Sequence, residues 1–147
     1  MPSQRKRATE NQEDYLERIH DLIDAKGYAR VADIAKELKL TRPSVTTMVQ
    51  QLGGNGYLNY EKYRGFTLTP RGLQVAQAIR RRHCLLTEFF LLIGVDKKTT
   101  EKDVEGVEHH ISAASLKKLE KLVACLKTKS FVSLYGIGLS GQEASMG

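Results

Sequence analysis

The stretch from Ala29 to Thr69 constrains the fold most, because several kinds of local signal follow one another there in a fixed order. Ala29-Arg-Val31 reads as a short strand. Asp33 to Leu38 reads as a short helix, with Ile34, Ala35 and Leu38 on its apolar side. Lys39-Leu40-Thr41 is a turn, and the Thr41 hydroxyl is suited to accept from the open N–H groups of a following helix. Pro43 sits in that helix's first turn, where its missing N–H costs nothing and its fixed φ fits. This helix is expected to run to about Leu52. It would bury Val45, Met48, Val49 and Leu52 and present Arg42, Ser44, Thr46, Thr47 and Gln50 on its other side. Gly53-Gly54-Asn55-Gly56 breaks it. Two strands are then expected, Tyr57 to Tyr63 and Phe66 to Thr69, turned at Arg64-Gly65.

Helix, turn, helix and a two-stranded wing make a winged helix-turn-helix. The rest of the chain supplies its surroundings. Residues 11–26 are amphipathic, with Tyr15, Leu16, Ile19, Leu22 and Ile23 on one arc and Asp14, Glu17 and Asp21 on the opposite one; Gly27 closes the helix. A long helix is expected over 70–94, capped by Thr69, with a stripe of Val75, Ile79, Leu86, Phe89, Phe90 and Ile93. Helices over 98–110 and 112–127 follow, the latter capped by Ser112 and striped by Leu116, Leu119, Leu122, Val123 and Leu126. The expected fold is mainly α with a small β-wing: a winged helix-turn-helix DNA-binding domain over residues 1–71 and a helical dimerisation domain over 72–128. The last segment, 129–147, is rich in Gly and Ser and reads as a mobile tail. The helical remainder is too small to fold as a separate domain, so it is expected to pair with a copy of itself. Such a dimer would set two reading helices one DNA turn apart, as a palindromic site requires.

A helix fits the major groove, and its short polar side chains can reach base edges. Arg42, Ser44, Thr46, Thr47 and Gln50 are therefore the candidate readers, and Lys62 and Arg64, with Tyr63 between them, the candidate wing contacts to phosphates or the minor groove. A net charge of +6 agrees with a polyanionic partner. Residues 1–10 are polar and basic; Arg5, Lys6 and Arg7 read as a solvated arm rather than as phosphate ligands. Arg80, Arg81 and Arg82 likewise read as a solvated face. Two cysteines without paired spacing, Cys84 and Cys125, fit a reducing compartment. No apolar run reaches transmembrane length, and the basic start has no apolar signal-peptide region. A cytoplasmic location is expected, with no membrane and no small-molecule substrate as partner.

The run Glu101-Lys-Asp-Val-Glu-Gly-Val-Glu-His-His110 carries a second signal. At about 100° per residue it sets Glu105, Glu108 and His109 on one helix face, with Val104, Val107 and Ile111 on the neighbouring one. Carboxylate oxygens and one imidazole are a donor set for a divalent cation, although such sites take about four to six ligands. The same residues also fit an ordinary solvated face, and the segment by itself does not choose. For Asp14 and Glu17 the spacing alone prefers a solvated face, and His83, at the edge of its helix's stripe, reads by itself as a core histidine hydrogen-bonded to backbone.

Several runs, in order, make the chain familiar: Glu13-Asp-Tyr-Leu-Glu17, Lys26-Gly-Tyr-Ala-Arg-Val31, Pro43-Ser-Val-Thr46, Tyr60-Glu-Lys-Tyr-Arg-Gly65, Arg82-His83, Ile93-Gly-Val-Asp96 and Asp103-Val-Glu-Gly-Val-Glu-His-His110. Over residues 12–126 the chain resembles the diphtheria-toxin-repressor family of metal-dependent transcription repressors, in its small two-domain branch of manganese transport regulators. The resemblance implies a metal site made by Asp14, Glu17, His83, Glu105, Glu108 and His109. It implies a homodimer without the SH3-like third domain of longer relatives. The iron-responsive branch has Met in place of Asp14 and Cys in place of Glu105, so carboxylates at both positions favour Mn2+ over softer metals. Six ligands, some bridging, would suit two ions about 4 Å apart.

The resulting expectation is a non-enzymatic, manganese-responsive repressor of manganese uptake genes. Four carboxylates that repel one another without metal would be drawn together with it, fixing the spacing of the reading helices and raising DNA affinity by linkage. The alternatives are a winged-helix regulator that answers to Fe2+, Zn2+ or an organic ligand, and a metal-dependent enzyme. The enzyme is disfavoured because there is no His-Glu-x-x-His and only one Glu-x-x-His run, Glu17-Arg-Ile-His20, where a di-iron bundle needs two.

Overall fold

A computed structural model describes residues 6–128. Its elements, in chain order, are α1 (Glu10–Lys26), α2 (Val31–Leu38), α3 (Arg42–Gly54), β1 (Leu58–Glu61), β2 (Gly65–Leu68), α4 (Pro70–Leu92), α5 (Lys97–Val107) and α6 (Ala113–Leu126). The chain divides by packing into two units, one ending at Arg80 and the next beginning at Arg81, so the division falls inside α4. Neither the expected tail at 129–147 nor Arg5 lies within the described residues.

In the first unit, α1 starts on a capping box. Gln12 N–H donates to Thr9 Oγ1 (3.3 Å) and Thr9 N–H donates to Gln12 Oε1 (3.1 Å), so two otherwise open donors are satisfied reciprocally. Gly27, at φ 83°, ends the helix in the left-handed region. Leu16, Ile19, Ile34, Val45 and Leu52 are fully buried and join α1, α2 and α3 into one core with Tyr57 and Leu58 of the wing base. The apolar stripes read from the sequence are the faces that meet there.

The expected strand at Ala29–Val31 is a single bridge. Ala29 pairs with Phe66 by N–H···O contacts of 3.2 and 2.7 Å, and α2 already begins at Val31. Arg30 takes the extended N-cap position, φ −107° and ψ 156°, which leaves no length for a strand. Thr41 caps α3 as expected, accepting from Ser44 N–H at 3.4 Å. That helix runs two residues beyond Leu52, and Gly56, at φ 79°, follows it. The strands pair antiparallel from Leu58↔Leu68 to Glu61↔Gly65 and are shorter than expected, because residues 62–64 make the turn, with Tyr63 at φ 72°. Nor is the start of the chain a wholly solvated arm: Ala8 is buried, and the Lys6 carbonyl accepts from Tyr57 Oη (3.4 Å) and Arg71 Nη2 (3.2 Å). Thr69 Oγ1 caps α4 by accepting from Gly72 N–H at 3.0 Å.

In the second unit, Asp96 caps α5 and Ser112 caps α6, each accepting from the N–H three residues on (2.9 and 3.1 Å). Leu86, Thr100, Val104, Leu116, Val123 and Leu126 are buried. Val107 and Leu122, expected on core-facing stripes, are 40% and 44% exposed, and Leu91 and Ile93 are also exposed. Helical periodicity locates an apolar face but does not say what covers it. No helix among the described residues is long and apolar enough to cross a membrane.

Candidate metal and nucleic-acid sites

Glu108 is the centre of the donor group in the second unit. α5 ends at Val107, three residues short of the expected end, and Glu108 is its C-cap in right-handed geometry, φ −58° and ψ −29°. That keeps Glu108 in register with Glu105 one turn back, while His109 lies past the helix in the following turn. Glu105 is exposed; Glu108 and His109 are buried. The Glu108 carboxylate is flanked on both sides: His83 Nδ1 stands 2.7 Å from Oε2, and His109 Nε2 stands 3.6 Å from Oε1. A carboxylate only accepts, so in that contact His83 Nδ1 is the donor. A buried carboxylate needs such partners, because an uncompensated buried charge is costly. Two imidazoles around one carboxylate, with no thiolate in the group, is a set that a borderline-to-hard divalent cation fits. Cys84 and Cys125 are exposed free thiols outside it.

In the first unit, Asp14 and Glu17 lie one turn apart on α1, both partly buried, beside the core face of Tyr15, Leu16 and Ile19. Burial pushes the Tyr15 phenol up from its ordinary value. Arg80 is not a purely solvated arginine, and Asp21 does not simply face water: Arg80 Nη2 donates to Asp21 Oδ1 at 2.9 Å, and Nη1 lies 3.5 Å from Asp24 Oδ2. His20, of the Glu-x-x-His run, is buried with its Nδ1 against Asp24 (3.6 Å) and Arg80 (3.4 Å). This nitrogen serves an ion-pair cluster sixty residues long in sequence. Glu13, also buried, lies 3.9 Å from Arg7.

The face of α3 is as expected. Arg42, Ser44, Thr46, Thr47 and Gln50 are exposed, while Val45 and Val49 are buried. Two of the hydroxyls have local partners: Ser44 Oγ is 2.9 Å from Thr41 Oγ1, and Thr47 Oγ1 donates to the Pro43 carbonyl at 3.1 Å. On the wing, Lys62, Tyr63 and Arg64 are exposed, Tyr63 to 82%. Lys62 Nζ sits 5.3 Å from the Tyr63 ring centre, and Arg64 lies 3.8 Å from Glu61. Sequence reasoning missed two arginines. Arg71 stacks on Tyr57 (4.4 Å) and donates to the carbonyls of Asn55 and Lys6, holding the chain start against the wing base. Arg30 stacks over Tyr28 (4.6 Å) and donates to the Tyr63 carbonyl (3.0 Å). Both use long side chains to reach distant backbone, which leaves no periodicity to read.

Residues 7–66 match the family model described as iron dependent repressor, N-terminal DNA binding domain, and residues 69–131 match iron dependent repressor, metal binding and dimerisation domain. The chain is similar to the HTH-type transcriptional regulator MntR of Listeria welshimeri, 50% identical over 115 residues that cover 78% of this chain and 81% of that protein. It is 49% identical over 119 residues to the regulator of the same name from Lysinibacillus sphaericus, covering 81% and 86%. Among solved structures it is similar to the manganese regulator SloR (TM-score 0.69, 26% identity, 80% of this chain and 55% of that one). It is also similar to the apo form of the manganese-activated repressor ScaR (TM-score 0.67, 26% identity, 75% and 53%). The chain thus spans about half the length of these two solved structures and most of the length of the MntR proteins.

Proposed function

The chain belongs to the iron-dependent repressor family, and from that premise we propose that it is a manganese-responsive, homodimeric transcription repressor acting on palindromic operator DNA in the cytoplasm. The observation that carries this reading is the Glu108 carboxylate held between two imidazoles, in a chain about half identical to regulators named MntR. The proposed ligands are Asp14 and Glu17 from α1 and His83, Glu105, Glu108 and His109 from the second unit. This six-residue set rests on the family resemblance; the His83–Glu108–His109 group supports its second half. The proposed DNA contacts are Arg42, Ser44, Thr46, Thr47 and Gln50 on α3 and Lys62 and Arg64 on the wing. The domain division proposed is 1–71, 72–128 and 129–147. The exposed apolar residues Leu91, Ile93, Val107 and Leu122 of the second unit support pairing with a second copy.

The bound cation supplies positive charge where carboxylates from two units would otherwise repel. The chain's own residues do the rest. Glu108 stands at a helix end with His83 and His109 on either side of its carboxylate, and Asp14 and Glu17 would tie the proposed site to α1. α1 shares its core with the reading helix α3, so ordering α1 orders the reader. A ligand that favours one arrangement raises DNA affinity by its differential affinity for that arrangement, about 1–3 kcal/mol in typical couplings.

Oxygen donors at Asp14 and Glu105 favour Mn2+, which must be chosen by geometry because it stands lowest in the affinity order of the divalent series. The test is a titration of the metal-free chain followed by the electron paramagnetic resonance of free Mn2+. Loss of two equivalents of signal per chain is expected, and competition with Fe2+ and Zn2+ ranks the metals. No loss of signal would replace Mn2+ by another effector.

A further inference from the structure

The wing is a weak element by its own resources. Two four-residue strands make an isolated hairpin, and such hairpins are marginal in water. Its base is fastened by the backbone bridge from Ala29 to Phe66. Its tip is another matter. Residues 61–64 are all exposed, and Tyr63 holds a left-handed φ of 72°, costly for an aromatic residue and maintained only where the surroundings fix it. A cleft of about 500 Å3 lies between Arg30 and Val31 on one side and Tyr60, Lys62 and Tyr63 on the other.

One side chain crosses that cleft. Arg30 Nη2 donates to the Tyr63 carbonyl at 3.0 Å, and the guanidinium rests on the Tyr28 ring at 4.6 Å. Arg30 occupies the N-cap of α2 but gives its own helix no side-chain cap bond, so its donors are directed at the wing. The backbone accommodates this closeness: Gly65 passes so near Ala29 and Arg30 that a Cβ there would meet the Ala29 carbonyl oxygen at 2.5 Å and Arg30 Cγ at 3.0 Å. Arg30 is therefore joined to the helix-turn-helix by its backbone and to the wing tip by its guanidinium.

We propose that Arg30 is a positioning residue for nucleic-acid binding: it locks the wing tip in its left-handed turn, so that Lys62, Tyr63 and Arg64 meet the duplex at a fixed angle to α3. It acts through the wing and does not itself contact DNA. This inference rests on the DNA-binding reading above. A locked tip loses less conformational freedom on binding, so the wing's contacts yield more affinity than the same residues on a loose hairpin.

The probe is duplex DNA recovered from a random-sequence library by the full-length wild-type protein in the presence of Mn2+. Failure of the wild type to enrich any duplex would sink the DNA-binding reading; the Arg30 inference is judged by comparing variants on an enriched duplex. Arg30→Ala is expected to bind it about tenfold more weakly, the cost of ordering the loosened tip on binding. The slope of log affinity against log salt is expected to stay unchanged, because no phosphate contact is lost. Amide hydrogen exchange at residues 62–65 is expected to speed up in the free protein while α1 and α3 keep their protection. Arg30→Gln, which retains a polar side chain at the N-cap should the alanine variant fold poorly, is read by the same three measurements. A salt slope shallower by about one would make Arg30 a phosphate ligand in its own right and overturn the proposal. Unchanged affinity would overturn it as well.

Discussion

His83 and Glu108 are joined by an Nδ1–Oε2 contact of 2.7 Å across twenty-five residues of sequence, and the carboxylate at its centre is buried. The half-exposed His83 satisfies the buried Glu108 carboxylate where water does not reach it, and both residues belong to the proposed ligand set. Glu108→Gln keeps the shape but removes the charge. Its Mn2+ affinity is expected to fall by at least about 100-fold, the upper end of what losing a mere supporting partner costs a metal site. Isothermal titration of the metal-free variant checks this, with circular dichroism showing an intact fold.

The exposed face of α3 is expected to divide in two. Gln50 is exposed on the face proposed to meet the groove, so Gln50→Ala should cost about 1–3 kcal/mol on the preferred duplex and flatten the preference at one base pair. Thr47 donates its hydroxyl to the Pro43 carbonyl and keeps only its acceptor lone pairs and its methyl for the duplex, so Thr47→Val should cost less than Gln50→Ala. Fluorescence anisotropy on the preferred duplex and on single-base variants separates the two.

Two glycine replacements should have opposite signs. Gly65 is at φ +111° with the Ala29 carbonyl where a Cβ would go, so Gly65→Ala should destabilise by about 1–3 kcal/mol. Gly106 lies in the exposed part of α5 with nothing within 4 Å of a Cβ, so Gly106→Ala should stabilise by about 0.5–1 kcal/mol. Urea denaturation measures both.

Asp96 is held below the ordinary carboxylate range, first by the Thr99 hydroxyl at 2.6 Å and next by the Thr99 N–H at 2.9 Å. A lowered folded-state value stabilises the folded form above the unfolded carboxylate's pKa, and that contribution disappears as pH falls through the folded value. The protection factors of the amides in the first turn of α5 should therefore fall only as pH drops below the ordinary carboxylate range. Asp96→Asn, which caps about as well but does not titrate, should remove that pH dependence.

What was legible in the sequence follows from how local the signal is. Thr41, Pro43 and the apolar spacing of Val45, Val49 and Leu52 specify α3 within a dozen residues, and the structure has it there. The pattern predicts a longer α5 than the structure has because nothing in Glu108-His109-His110 forbids a further turn of helix; no Gly or Pro follows Val107 to announce the stop. The strand expected at Ala29 shrank to one bridge because Arg30 is needed as the N-cap of α2. The Arg80–Asp21 pair joins residues fifty-nine apart, and no periodicity reports such a contact. Val107 and Leu122 look like core residues in the pattern and are exposed in the single chain. Of the proposed ligands, composition could name the residue types but not that Glu105 is exposed and Glu108 buried, because depth is a property of the packed unit.

The most direct test of the account is binding of the full-length protein to its preferred duplex, followed by anisotropy as Mn2+ is added and then removed with a chelator. Affinity should rise about 5- to 150-fold with Mn2+ and return to its starting value with the chelator. Equal affinity in the presence and absence of metal would contradict the account, since the cation would then have no part in setting how the reading helices meet DNA.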